Sequence, residues 1–161
     1  MNVNAVTTPT RLAGTRYYPA QRSIVGAARR QVAAMLCEWR LPVSMDDAEL
    51  TVSELVTNAV RLSGPSDQVA VHLRWIGIGL VIGVWDSSPA MPIASTVGGL
   101  TLDDITPDPK ALEDDDNRAG GWGLPLVEAV ASAFQVERTS SPAGKWVITL
   151  LRHSHSDTKG E

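Results

Sequence analysis

Glu54 and Asn58 stand four residues apart in the run Glu54-Leu55-Val56-Thr57-Asn58-Ala59. On a helix, positions i and i+4 lie one turn above the other, so this carboxylate and this amide can reach a single point in space. A carboxylate and an amide held together at the edge of a core are groups that a magnesium-nucleotide site uses. The other reading is a helix whose polar face is simply wet.

A second candidate is Asp86, at the end of Leu80-Val81-Ile82-Gly83-Val84-Trp85-Asp86. Period two puts it on the same side as Leu80, Ile82 and Val84. A carboxylate that continues an inward-facing row needs a partner, because burying it alone is prohibitive. That partner is either a neighbouring backbone donor or a ligand's amino group.

The third candidate is Gly120-Gly121-Trp122-Gly123, which leads into Leu124-Pro125 and an apolar run ending near Phe134. Proline suits the first turn of a helix and is costly further in, so the helix begins at about Leu124. A glycine-rich loop entering a helix N-terminus offers backbone N–H groups and the positive dipole end to an anion. Flexible loops are also rich in glycine, and Pro125 contributes no donor.

The remaining chemistry-bearing residues are less promising. Cys37 is the only cysteine, which excludes a disulfide framework and a thiolate zinc site. Sitting among Val32, Met35, Leu36 and Trp39, it reads as core packing, and a reducing compartment fits. His72 reads as a polar-face residue, while His153 and His155 lie on a polar tail and make a poor metal site.

The elements that position these groups follow from spacing. Thr15 to Pro19 reads as a short edge strand after an unstructured start over residues 1–15. Ala20 to Arg40 is helical, with Val25, Ala28, Val32, Met35 and Trp39 on one face. Leu41-Pro42 ends it, since the residue before proline is pushed out of the helical region. Ser44, followed three residues later by Asp47, caps the next helix, which stops at Ser63-Gly64-Pro65. Along that helix Ala48, Val52, Leu55, Ala59 and Leu62 form an apolar stripe. Beside it run Asp47, Thr51, Glu54, Asn58 and Arg61.

Gln68 to Trp75 alternates as a strand and pairs, through a turn at Gly77 and Gly79, with the apolar strand that ends at Asp86. Residues 93–119 show no periodicity and hold seven acids between Asp103 and Asp116; a connection this long is disordered or functional, and it reads as a lid. The chain closes with a hairpin, Gln135 to Thr139 and Lys145 to Arg152, and a disordered tail over 153–161.

With 161 residues the chain makes one domain with a real core. A net charge of −4 and a pI near 5.3 argue against a nucleic-acid surface. Six of the 14 basic residues (Arg11, Arg16, Arg22, Arg29, Arg30 and Arg40) fall in the first quarter against one acid, Glu38. They form either a solvated helix face or a docking surface for an acidic protein. No run approaches the roughly 18 apolar residues of a membrane span, and Met1–Thr10 lacks the order of a signal peptide. A cytoplasmic location is expected.

Taken in order, Glu54-Leu55-Val56-Thr57-Asn58-Ala59, Asp86-Ser87-Ser88-Pro89-Ala90-Met91-Pro92 and Gly121-Trp122-Gly123-Leu124 resemble the N, G1 and G2 boxes of the GHKL ATPase superfamily. Gyrase and the catalytic domains of histidine kinases are members. Within it the chain is similar to the anti-sigma-factor serine/threonine kinases and their stand-alone bacterial relatives, over residues 16–152. Ser88 stands where many members have glycine, and the loop from Gly120 to Gly123 admits two registers.

The resemblance implies an α/β (α+β) two-layer sandwich of the Bergerat type, a mixed and mostly antiparallel sheet with helices on one face and an ATP lid. It implies ATP and Mg2+ as cofactors. Asn58 would be the magnesium ligand, Glu54 the base for the attacking hydroxyl, and Asp86 the acceptor for the adenine amino group. Gly121, Gly123 and Leu124 would meet the phosphates through backbone N–H groups, and Arg118 is a further phosphate candidate. The implied activity is phosphorylation of an anti-anti-sigma protein, with control of a sigma factor, and family members often form homodimers. A non-catalytic nucleotide-sensing module that sequesters a regulatory partner is the alternative.

Overall fold

The computed structural model describes residues 12–90, 127 and 129–153. The lid segment 93–119, the loop residues Arg118, Gly121, Gly123 and Leu124, and most of both tails lie outside the described residues.

Strand β1 spans Ala13–Pro19, helix α1 Ile24–Trp39 and helix α2 Met45–Leu62, followed by the hairpin strands β2, Gln68–Trp75, and β3, Gly79–Asp86. The closing hairpin is β4, Ala133–Ser140, and β5, Ala143–Arg152. The five strands form one sheet in the order β1-β2-β3-β5-β4, and every pairing among them is antiparallel. The fold is α+β, as the resemblance implied and the expected order of elements fits; the sheet, expected to be mixed and mostly antiparallel, is antiparallel in every pairing among the described residues.

Alternation decides which side of the sheet is buried. Val69, Val71 and Leu73 of β2, Leu80, Ile82 and Val84 of β3, and Val147 and Leu151 of β5 are all buried, and they join the stripes of α1 and α2 in one core. Burying a side chain of this kind stabilises by about 1.5–3 kcal/mol, so this face sets the strand register. On the opposite face Trp85 pairs with Trp146 and Val81 with Leu150. His72 meets the Trp146 ring edge-on, with centroids 6.2 Å apart, and its Nδ1 bonds Thr15 Oγ1 at 2.7 Å. It is a polar-face residue, as expected.

Helix α2 begins where its cap predicts: Ser44 Oγ accepts from Asp47 N at 3.2 Å. Its apolar stripe is buried from Ala48 to Ala59. Thr51, expected on the polar stripe, is fully buried instead; its hydroxyl donates to the Asp47 carbonyl at 2.7 Å, so no polar group is left unsatisfied.

Helix α1 is rotated from its expected face. Its buried residues are Ile24, Ala28, Gln31, Val32 and Leu36, with Val25, Met35 and Trp39 half-buried at the margin. This rotation turns Cys37 outward, so the thiol expected in the core is exposed. Gln31 is tolerated inside because Tyr18 Oη donates to its Oε1 at 2.8 Å and its Nε2 donates to Val71 O at 3.3 Å. Phe134, expected in the last helix, belongs to β4. The described helical residues there stop at Val130, and the Ala131 N–H closes the last turn on Val127 O at 2.8 Å.

Candidate functional site

The candidate site builds outward from Asp86. It closes the inward row of β3 and is 1% exposed, and its partner is a side chain that spacing within β3 cannot reveal. Lys145 Nζ lies 2.6 Å from Asp86 Oδ1, and the lysine is also 1% exposed. The β3–β5 register places the two residues directly opposite each other. The expected backbone donor is present too, since Ser88 N donates to the same Oδ1 at 2.9 Å. Lys145 Nζ further donates to Ser88 O at 3.2 Å, tying the chain after β3 to the start of β5. Desolvating either charge alone costs several kcal/mol, and the close ion pair with its added hydrogen bonds offsets that cost.

Gly144 makes this approach possible. A Cβ built there would run into the Asp86 carbonyl and come within 2.6 Å of the Trp85 ring. Trp85 is itself fixed by its Nε1–H, which donates to Thr139 Oγ1 at 3.0 Å.

Asp86 keeps one oxygen in reserve. Among the described residues Oδ2 accepts no hydrogen bond, whereas Oδ1 accepts two. Because no fully buried side-chain nitrogen or oxygen among the described residues lacks a partner, this oxygen keeps some contact with the surface. Beside a buried cation it can take a hydrogen from an amino group without leaving a net negative charge in the interior. The neutralisation by Lys145 also removes the repulsion that a bare carboxylate would present to a polyanionic ligand.

Glu54 and Asn58 lie one turn apart on α2, both half-buried. The short connection over residues 63–67 leads from the end of α2 to Gln68, the first residue of β2. Ala70, near that start, pairs with Trp85 beside Asp86. The C-terminal half of α2, the tip of β3 and the start of β5 thus share one end of the domain. Asn58 Oδ1 accepts from Arg61 Nη2 at 2.6 Å. An exposed pair on neighbouring helix turns contributes a few tenths of a kcal/mol, so this oxygen is readily released to a cation.

The residues present fit a magnesium nucleotide at this end: an unbonded oxygen on a buried carboxylate for an amino group, an amide oxygen for a hard cation, and a half-buried carboxylate one turn away. Lys145 is the residue that spacing left out. Its signal was the alternation of Lys145, Val147, Thr149 and Leu151, which sets the ammonium on an inward face.

Residues 18–150 match the model of the histidine kinase-like ATPase domain. Among solved structures, the catalytic domain of the histidine kinase ThkA is similar at 12% identity and a TM-score of 0.49, over 87% of this chain and 97% of that one. The mycobacterial sensor histidine kinase MprB is similar at 14% identity and a TM-score of 0.49, over 86% of this chain and 97% of that one. No curated protein sequence matches. Among the described residues no helix is long and apolar enough to cross a membrane.

Proposed function

We propose, from the premise that this chain belongs to the histidine kinase-like ATPase family, that it is an ATP-binding regulatory protein acting as an anti-sigma-factor-type serine/threonine kinase. Its substrate is a serine or threonine hydroxyl of an anti-anti-sigma partner, and its output is control of a sigma factor. The observation that carries the reading is Asp86, buried at the strand tip with Oδ2 in reserve for an amino hydrogen.

Asp86 accepts from the adenine amino group and orients the base. Asn58 would hold magnesium through Oδ1, and Gly121, Gly123, Leu124 and Arg118 are the proposed phosphate contacts. Bound magnesium ATP supplies the transferable phosphoryl group and the cation that neutralises its charge. Glu54, one turn before Asn58, accepts the proton of the attacking hydroxyl. The basic residues of α1, Arg29 and Arg30, both exposed, offer an acidic partner or a second copy of the chain a place to dock.

The test is incubation of the purified protein with magnesium, labelled ATP and each cognate candidate partner. Transfer of label to a serine or threonine supports the reading, and absence of transfer to every partner overturns the kinase assignment.

One observation favours a second reading, a non-catalytic nucleotide-sensing module that sequesters its partner. The chain's own cations, Lys145 and Arg61, already occupy Asp86 Oδ1 and Asn58 Oδ1. Under that reading, control of the partner in cells survives Glu54→Gln but not Asp86→Ala.

A further inference from the structure

Asp86 does not stand as a lone acceptor. Lys145 Nζ spends two of its three N–H donors, one on Asp86 Oδ1 at 2.6 Å and one on Ser88 O at 3.2 Å. The third N–H and Asp86 Oδ2 take no hydrogen bond among the described residues. The two side chains are 1% and 2% exposed, and among the described residues no fully buried side-chain nitrogen or oxygen lacks a partner, so the unbonded Oδ2 keeps a narrow opening through which a ligand can reach it. Groups in such a setting gain most from a ligand that satisfies them together.

The pair is held as a unit. Lys145 and Asp86 are register partners on β5 and β3, and the absent side chain of Gly144 lets the strands close on the Asp86 carbonyl. Ser88 ties both ends through its N–H and its carbonyl. This leaves the ammonium little freedom to swing away, so it remains beside whatever Asp86 binds.

We propose that Lys145 is a second base-reading residue: its third N–H donates to ring N1 of adenine while Asp86 Oδ2 accepts from the amino group on the adjacent carbon. The inference rests on the reading of this end as an ATP site and adds a specificity determinant to it. Adenine presents donor and acceptor in the order that the carboxylate and ammonium require. Hypoxanthine and guanine present a carbonyl and an N–H in the reverse order, which sets oxygen against carboxylate unless the base turns over. Lys145 thus converts a site that would accept any amino group into one that reads two adjacent atoms.

The experiment is calorimetric titration of the full chain, with magnesium, by ATP, by 1-deaza-ATP, in which carbon replaces N1 and the amino group stays, and by inosine triphosphate. The wild-type protein is expected to bind 1-deaza-ATP about ten- to a hundredfold more weakly than ATP, the size of one hydrogen bond to a charged group. Inosine triphosphate is expected to bind more weakly still. Lys145→Met is expected to bind ATP and 1-deaza-ATP alike, and Lys145→Gln, which keeps an N–H donor, to recover part of the difference. Equal wild-type affinity for ATP and 1-deaza-ATP overturns the inference and leaves the nucleotide site standing. Failure of wild type to bind ATP overturns the site itself. A lysine that serves folding alone would lower the thermal stability of both variants and leave the ratio between the two nucleotides unchanged, which also overturns the inference. If neither variant folds, the wild-type comparison decides.

Discussion

Lys145 Nζ and Asp86 Oδ1 meet at 2.6 Å with side chains only 1% and 2% exposed, which joins the stability of the sheet to the proposed base-binding end. Removing either charge strands the other in the interior. Asp86→Ala is therefore expected to cost about 3–5 kcal/mol of stability, while the double change Asp86→Leu with Lys145→Met, which removes both charges at similar volume, is expected to be near neutral. Denaturant unfolding of the three proteins measures both. Equal loss in the single and double variants would show that packing, not charge pairing, holds this site.

For nucleotide affinity the informative change is Asp86→Asn. It keeps a hydrogen-bonding side chain at the tip of β3 but offers Lys145 a neutral partner and the ligand a weaker acceptor. ATP binding is expected to weaken by about 1.5–3 kcal/mol, roughly ten- to a hundredfold. A titration by calorimetry on folded protein reads it, and an unchanged dissociation constant would place the base elsewhere.

Glu54 is half-buried, so Glu54→Gln is expected to leave unfolding and ATP affinity nearly unchanged. Phosphoryl transfer to a partner is expected to fall by about 10²–10⁴-fold, the usual contribution of a positioned base. Single-turnover transfer measured beside ATP affinity separates the two effects.

Gly144→Ala inserts a methyl group where the Asp86 carbonyl and the Trp85 ring already lie. Overpacking of this kind costs about 1–3 kcal/mol. Because Lys145 is the next residue, ATP affinity is expected to fall together with stability. Thermal unfolding with and without ATP tests it, and a variant as stable as wild type would show that β5 has room to shift.

At the start of α2, Ser44→Ala removes the oxygen that accepts the Asp47 N–H. The expected loss is about 1 kcal/mol, seen in the unfolding midpoint. Transfer chemistry is expected to be unchanged, because the cap lies at the end of α2 far from Asn58.

Much of this arrangement was legible in the residues. The 3.6 period of α2 and the two period-two strands that follow it have bounds within a residue or two of the observed ones, because caps, glycines and prolines mark them. Burial of Asp86 followed from alternation alone. Its lysine did not, because alternation tells which face a residue occupies and not which strand lies next door. The β3–β5 adjacency spans 59 residues of sequence at Asp86 and Lys145. Cys37, exposed, and Thr51, buried, depart from the faces that spacing assigns them for a related reason. The face of a helix is decided by what it packs on, and Gln31 and Thr51 carry hydrogen bonds that let polar residues enter the core. The phosphate-binding residues expected from the glycine-rich loop lie outside the described residues.

The central claim is that the tip of β3 receives the base of ATP. Calorimetric titration of the wild-type chain with ATP, with and without magnesium, tests it most directly. Saturable one-to-one binding that magnesium strengthens, and that replacement of the amino group by oxygen in inosine triphosphate weakens by tenfold or more, is the predicted result. No saturable binding, or equal affinity for the two nucleotides, would contradict it.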